Sequence, residues 1–519
     1  MRSVLAAFVI LLCVSSAAGA QTKPGAAACA AMKSFTLPGT TVEITKADWV
    51  TAGSTPPAAG RGGPPSTLKL PAFCRVDGVI DRRTGGDGKP YGIGFAINLP
   101  DEWNGRFLQQ GGGGLNGNVA FPLGAQAAGE TPALLRGFAV VTTDTGHAAT
   151  GFDAAFMREQ QAGLDFAYQA VGRVAGLAKQ IVAQYYRKAA DHSYFAGCST
   201  GGREAMLMAE RYPTYFDGVV AGAPAMRTNF SGIGDEWVAV ALNQVAPRDA
   251  NGQPVTRQAL SDSDKKTVID GILNQCDAAD GAKDGIVFNT KCVFDPRLLV
   301  CKGAKVDGCL SPAQAAALEK GFAGPKDSKG RQVYPGFPFD TGIAATQGIP
   351  GHLNGGLNPV GPPFAAVTMD VDARAAAALT AGDMLTMTSA WTNLNTFSSR
   401  GAKLLFYHGV SDPWFSANDT LDYYERMTAA NGGAAQVTNW SRLYLAPGMG
   451  HCGGGAATLD SFDLLGAVVD WVEKGTAPDA VTATGRAFPG RSRPMCAYPK
   501  HSHYKGSGDV EDAKNFECR

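Results

Sequence analysis

Three short stretches of this chain hold residues whose types and order suit acyl transfer. The first, Gly197-Cys198-Ser199-Thr200-Gly201-Gly202, is a G-x-S-x-G motif. It follows the apolar run Ser193 to Ala196 and precedes Arg203 to Tyr212, a segment of helix-forming composition, so it has the strand-turn-helix context that the motif requires. Small residues on both sides let the chain turn sharply and lift the Ser199 hydroxyl out of a sheet. The backbone N–H of Thr200, at the helix start, then faces a developing oxyanion. A serine hydroxyl is a weak nucleophile until a base takes its proton, so a histidine is needed, with a carboxylate to orient it.

In this arrangement the chain order is serine, acid, histidine. His451, in Pro447-Gly448-Met449-Gly450-His451-Cys452-Gly453, follows a strand signal, whereas His501 and His503 fall in a polar C-terminal tail that reads as solvated. Asp412, in His408-Gly409-Val410-Ser411-Asp412-Pro413, follows the strand Lys403 to Tyr407. Catalytic groups collect at such strand ends in open α/β sheets. Asp419 and Asp422 fit better as exposed carboxylates at a helix start. Cys198 directly precedes Ser199 and Cys452 directly follows His451. A bridge between them would hold their Cα atoms about 5.5 Å apart and make nucleophile and base neighbours. The run Gly111-Gly112-Gly113-Gly114 after the strand Arg106 to Gln110 is the natural second oxyanion donor, because glycine lets backbone N–H groups approach a substrate closely; Gly113 is assigned that role.

The elements that must position these residues follow from periodicity. Short apolar runs at Gly92 to Leu99, Arg106 to Gln110, Gly137 to Thr142, Ser193 to Ala196 and Phe216 to Ala223 read as strands. Between the third and fourth, Leu164, Ala167, Val171, Val174, Leu177 and Ile181 recur at helical spacing over Gln160 to Tyr186. The alternation resumes with Lys403 to Tyr407, Asn418 to Ala430, Ser441 to Leu445 and Ser461 to Glu473. Such alternation implies a mostly parallel sheet covered on both faces, here an α/β-hydrolase with a large inserted lid domain. The catalytic domain is expected over 21–227 and 400–519 and the lid over 228–399, where only scattered helical patches such as Asp262 to Asn274 stand out. Residues 21 to about 75, rich in Ala, Gly, Pro and Thr, read as a loop-rich N-terminal wrap.

Bulk properties narrow the class. The net charge is zero and no basic stripe stands out, which argues against a nucleic-acid partner. Arg2, the apolar run Val4 to Val14 and the small residues ending in Ala18-Gly19-Ala20 have the layout of a signal peptide over 1–20, so a secreted or periplasmic protein is expected. That run is too short for a membrane anchor. Of eleven cysteines one, Cys13, lies in that leader, and the even remainder is consistent with five disulfides in an exported protein.

The stretches GCSTGGR, HGVSDPWFS and GMGHCGGG together resemble the tannase and feruloyl esterase family, which includes the mono(2-hydroxyethyl) terephthalate hydrolases. The resemblance implies bridges Cys198–Cys452, Cys29–Cys74, Cys276–Cys292, Cys301–Cys309 and Cys496–Cys518. It also implies a structural calcium ion in the lid, held by Asp277, Asp280 and Asp284 with the carbonyls of Ala282 and Ile286. Three carboxylates in eight residues suit a hard cation, although the loop is not an EF-hand. The implied activity is a carboxylic ester hydrolase acting on small aromatic acid esters, feruloyl, galloyl or terephthalate half-esters, with His408, Trp414 and Phe415 lining the substrate pocket. Two other classes share the constellation. A catalytically inactive binding protein on a hydrolase scaffold would usually lack a triad member, and a serine peptidase would keep all three.

Overall fold

The short apolar runs form nine strands of one sheet: β1 (Val42–Val50), β2 (Phe73–Thr84), β3 (Pro90–Pro100), β4 (Arg106–Gln110), β5 (Ala139–Thr143), β6 (His192–Cys198), β7 (Gly218–Gly222), β8 (Lys403–Gly409) and β9 (Ser441–Ala446). The computed structural model describes residues 23–57, 66–149, 151–346, 348–355, 358 and 362–519. The leader expected over 1–20 lies outside them.

The strand order is β1-β2-β3-β5-β4-β6-β7-β8-β9. β1, β2, β3 and β5 pair antiparallel, and every neighbour from β5 onward is parallel. After β4 the chain pairs on one side with β5 and then crosses to the other side as β6. Ligands bind at the carboxyl ends of the strands where the winding reverses in this way. The glycine run leaves β4 and Ser199 leaves β6, so both emerge at that switch point. This is the α/β-hydrolase fold.

The N-terminal wrap needs correcting. Residues 26–31 are helical and β1 adds an edge strand to the sheet. Only Ile44 of β1 is buried, so the strand lacks the apolar alternation by which others are recognised. The expected helix Gln160 to Tyr186 forms as one helical run interrupted by a π turn at Asp165–Gln169. A π turn frees carbonyls from the helical ladder. Here the buried guanidinium of Arg203, from the helix Thr200–Glu210, donates to Phe166 O at 3.0 Å and Ala167 O at 2.8 Å. The irregularity therefore docks the helix that follows the nucleophile.

The insertion between β7 and β8 has its own apolar core, running from Val238 to Leu353 through Leu318, Tyr334 and Phe337. It is also stitched into the catalytic body. Leu394 and Phe397 belong to the core on one face of the sheet, and Ile286 and Phe288 to the core on the other. The C-terminal tail is not a solvated extension. It forms two small antiparallel strand pairs, linked to each other by Cys496–Cys518.

All five expected disulfides are present. Cys198–Cys452 spans 254 residues. In the chain-entropy treatment a bridge of that length stabilises by about 5 kcal/mol. The double variant Cys198→Ala/Cys452→Ala is expected to lose up to this much unfolding free energy and at least tenfold in kcat. Denaturant unfolding and ester turnover measure the two losses. Loss of stability with full kcat would mean that the bridge does not position the site.

Candidate active site

Ser199 has φ +65° and ψ −125°, a backbone conformation that non-glycine residues seldom adopt. It is held by Ser199 N donating to Gly222 O at 3.0 Å and by Ala225 N and Arg203 N donating to Ser199 O. Two glycines make the turn possible. A Cβ on Gly197 would lie 2.4 Å from Gly201 O, and one on Gly202 would lie 2.1 Å from Gly222 O. The glycines of the G-x-S-x-G motif and the one that follows it are thus a packing requirement between strand, turn and helix.

His451 Nδ1 lies 2.7 Å from Asp412 Oδ2. Its Nε2 has no hydrogen-bond partner among the described residues, which leaves it available as a base. The disulfide holds the Cα atoms of Cys198 and Cys452 5.9 Å apart and so brings the loops of Ser199 and His451 together. Asp412 is 1% exposed and both its oxygens are engaged. Oδ1 accepts from Trp414 N at 2.9 Å and Phe415 N at 3.1 Å. Burial alone would push the carboxyl up, but the facing His451 and His408, through charge and hydrogen bonds, hold it well below the usual carboxylate range. Asp412 is therefore fixed as an acceptor that orients the imidazole.

His408 is a correction. It is fully buried behind the triad rather than in the pocket, with Nδ1 2.8 Å from Thr420 Oγ1, Nε2 2.9 Å from Phe415 O and 3.4 Å from Asp412 Oδ2. It braces the acid loop. Trp414 and Phe415 do line the cavity that contains Ser199, and their rings pack at 5.0 and 5.2 Å from that of His451. Asp419 is not an exposed helix-start carboxylate either, being buried in an ion pair with Arg227. Asp422 is half exposed and pairs with Arg426.

The cavity holds about 600 Å³ and is walled by Leu115, Phe152 and Met157 on one side and by the insertion on the other. Arg203 and Arg374 are the cations on its wall, with Arg374 paired to Glu236. Arg331 and Arg400 pair elsewhere, with Asp327 and Asp217.

The hydrogen bonds of the glycine loop narrow the candidate donors. Gly111 N donates to Ala196 O, and Gly112 N donates to Glu204 Oε2 at 2.9 Å. Gly112 O accepts from Gly201 N at 3.1 Å, and the Thr200 hydroxyl donates to Gly114 O. Among the described residues no acceptor is engaged by Gly113 N, the position assigned from sequence, or by Gly114 N. Glu204 went unnoticed in the sequence, where nothing local marks it. Its buried carboxylate also accepts from Asn116 Nδ2 at 2.6 Å and so ties the glycine loop to the helix after the nucleophile.

In the acidic loop, Asp277 accepts from Gly285 N, Asp280 from Ala282 N and Phe288 N, and Asp284 from Ile286 N. The Asp284 carboxylate also pairs with fully buried Arg493, and Arg491 donates to Asp284 O at 2.7 Å. Burial pushes the Asp280 carboxyl up to about 7. Among the described residues no group of three or more His, Cys, Asp or Glu converges to hold a metal ion. The donors are all oxygen, as calcium requires, but with this pairing the three carboxylates do not share one centre.

A strained nucleophile turn at the switch point of this sheet, beside a histidine-carboxylate pair, defines the class of an α/β-fold carboxylic ester hydrolase. A sequence model described as "Tannase and feruloyl esterase" matches residues 74–360 and 363–519. The chain belongs to that family. It is 38% identical to mono(2-hydroxyethyl) terephthalate hydrolase of Piscinibacter sakaiensis, over 89% of this chain and 87% of that protein. It is 33% identical to a probable feruloyl esterase B-2 of Aspergillus terreus, over 81% and 82%. The crystal structure of feruloyl esterase B from Aspergillus oryzae superposes with a TM-score of 0.76 at 27% identity, covering 95% of this chain and all of that one. Tannin acyl hydrolase from Aspergillus niger shares the fold, with a TM-score of 0.66 at 22% identity over 92% and 90%. These relatives favour ester hydrolysis over the inactive scaffold and the peptidase.

Glu204→Ala frees Gly112 N and Asn116 and lets the loop drift, so kcat is expected to fall about 10- to 100-fold with KM little changed. Glu204→Gln should retain most of kcat, because Asn116 can turn its amide to accept from the new NH₂ group. Steady-state kinetics on one ester distinguish the two variants; equal losses would remove Glu204 from this role.

Proposed function

We propose that the protein is an exported serine esterase that cleaves aromatic acid esters through an acyl-enzyme on Ser199. The observation that carries this reading is Ser199 on a strained turn, opening into a cavity walled by aromatic side chains, next to the His451–Asp412 pair. His451 Nε2 takes the Ser199 proton as Oγ attacks the ester carbonyl. The N–H groups of Thr200 and Gly113 receive the oxyanion. His451 then gives the proton to the leaving alkoxide, and water, activated by the same imidazole, hydrolyses the acyl-enzyme to the acid and restores the serine. Asp412 fixes the tautomer throughout.

The names of the relatives point to feruloyl or terephthalate acyl groups, and a ring of that kind can stack on Trp414 and Phe415. Export is supported by the five disulfides and by the leader-like pattern of residues 1–20. Among the described residues no helix is long and apolar enough to cross a membrane.

The acidic loop is proposed to take calcium, which the carboxylates of Asp277, Asp280 and Asp284 and the carbonyls of Ala282 and Ile286 would hold. Bound there, calcium would supply positive charge to a cluster of buried carboxylates that Arg493 meets at one member. Removing it with EGTA is expected to lower the Tm by several degrees, with recovery on adding Ca²⁺ but not Mg²⁺. An unchanged Tm would dismiss the ion.

Turnover of methyl ferulate, a gallate ester, mono(2-hydroxyethyl) terephthalate and p-nitrophenyl acetate by the purified protein and by Ser199→Ala tests the main reading. Hydrolysis of at least one aromatic ester is expected, falling at least 10³-fold in the variant. Turnover that survives Ser199→Ala would place the chemistry elsewhere.

A further inference from the structure

The wall of the cavity contributed by the helix Thr228–Asn243 presents Thr228, Gly232 and Asp235, spaced at three and four residues as one helical face requires. Asp235 is the single carboxylate among the described residues that line the cavity. It is 3% exposed, and its Oδ1 has no hydrogen-bond partner. Behind it stands His352, 2% exposed, with Nε2 3.8 Å from Asp235 Oδ1 and its ring against the Pro413 backbone. The His352 ring is packed against Phe337 and Phe322, which keeps it at this place.

Buried polar atoms without partners are uncommon in native proteins, because each costs about 1–3 kcal/mol. An unpartnered oxygen on Asp235, beside the buried His352 ring and at the wall of the cavity that contains Ser199, suits a polar subsite. The mechanism set out above uses neither residue. Burial, with Asp412 close by, pushes the Asp235 carboxyl well above its usual range, and burial lowers the His352 imidazole to about 4. Burial thus favours the uncharged form of each group, and in that form the two offer donors and acceptors without net charge. A hydroxyl, which both donates and accepts, matches this set. A ligand carboxylate does not, since it only accepts and would sit beside the Asp412 charge.

We infer that Asp235, backed by His352, forms a subsite that binds an uncharged hydroxyl group of the ester substrate. The inference rests on the reading of this cavity as the substrate site. The hydroxyl can belong to the acyl ring or to the alcohol, and substrate pairs separate these sources. For the acyl side the pair is methyl 4-hydroxycinnamate and methyl cinnamate; for the alcohol side it is 2-hydroxyethyl cinnamate and propyl cinnamate.

The readout is the ratio of kcat/KM within each pair for the full-length protein, Asp235→Leu, Asp235→Ala and Asp235→Asn. In the unsubstituted protein one ratio is expected to favour the hydroxylated ester by at least tenfold. That ratio should collapse toward one in the leucine and alanine variants and persist in part in the asparagine variant, whose amide still donates and accepts. A purely structural role would lower both members of a pair together and leave the ratio unmoved. Absence of any preference in the unsubstituted protein, or a preference that survives Asp235→Leu or Asp235→Ala, overturns the inference. Turnover of methyl cinnamate that depends on Ser199 reports separately on the esterase reading, so the two can fail independently.

Discussion

The arrangement depends on one covalent constraint. β6, which delivers Ser199, and β9, which precedes His451, are separated in the sheet by β7 and β8. Three interstrand spacings amount to about 14 Å. The disulfide nevertheless holds Cys198 and Cys452 with Cα atoms 5.9 Å apart. The loop after β9 must therefore return across the carboxyl ends of two strands. It does so with Gly448 N donating to the buried carboxylate of Asp340 and Ser411 N donating to Met449 O. Ser199, Asp412 and His451 come from three different strand ends, and this bridge ties the ends that carry Ser199 and His451 together.

The same economy governs the polar groups beneath the site. Asp412 is almost wholly buried, a position costly for a charge unless every lone pair is used. Two backbone N–H groups of its own loop and two imidazoles use them. His408 is held in turn by Thr420 and by the carbonyl of Phe415, a residue whose ring faces His451. On the other flank, Glu204 and Arg203 leave the helix after the nucleophile in two directions, one to the glycine loop and one to the π turn. The helix Thr200–Glu210 thus carries the support of the glycine loop beside Ser199.

The nucleophile turn, the loops that hold Asp412 and His451, the glycine loop and most strands were legible because each carries a local signature: glycines that the turn cannot do without, and apolar runs of strand length. β1 was not, since an edge strand with one buried residue has no alternation to read. His408 and Asp419 were misread for a shared reason. Polar residues near strand and helix ends look solvent-facing until their partners are known, and the partner of Asp419 is Arg227, 192 residues away. Glu204, Asp235 and His352 gave no signal, because a polar residue in a helix or loop is ordinary until folding buries it. The acidic loop was visible as a cluster of carboxylates, but its packing against Arg491 and Arg493 of the C-terminal segment was not.

The central claim is that Ser199 is the nucleophile and is activated by its surroundings. Incubation of the intact protein with a small organophosphate ester, followed by mass spectrometry of the whole chain and of its peptides, tests this directly. One adduct per chain is expected, on the peptide containing Ser199, with esterase activity lost in proportion to labelling. An unmodified Ser199 in a protein that still hydrolyses esters, or an adduct at another residue accompanied by loss of activity, would contradict it.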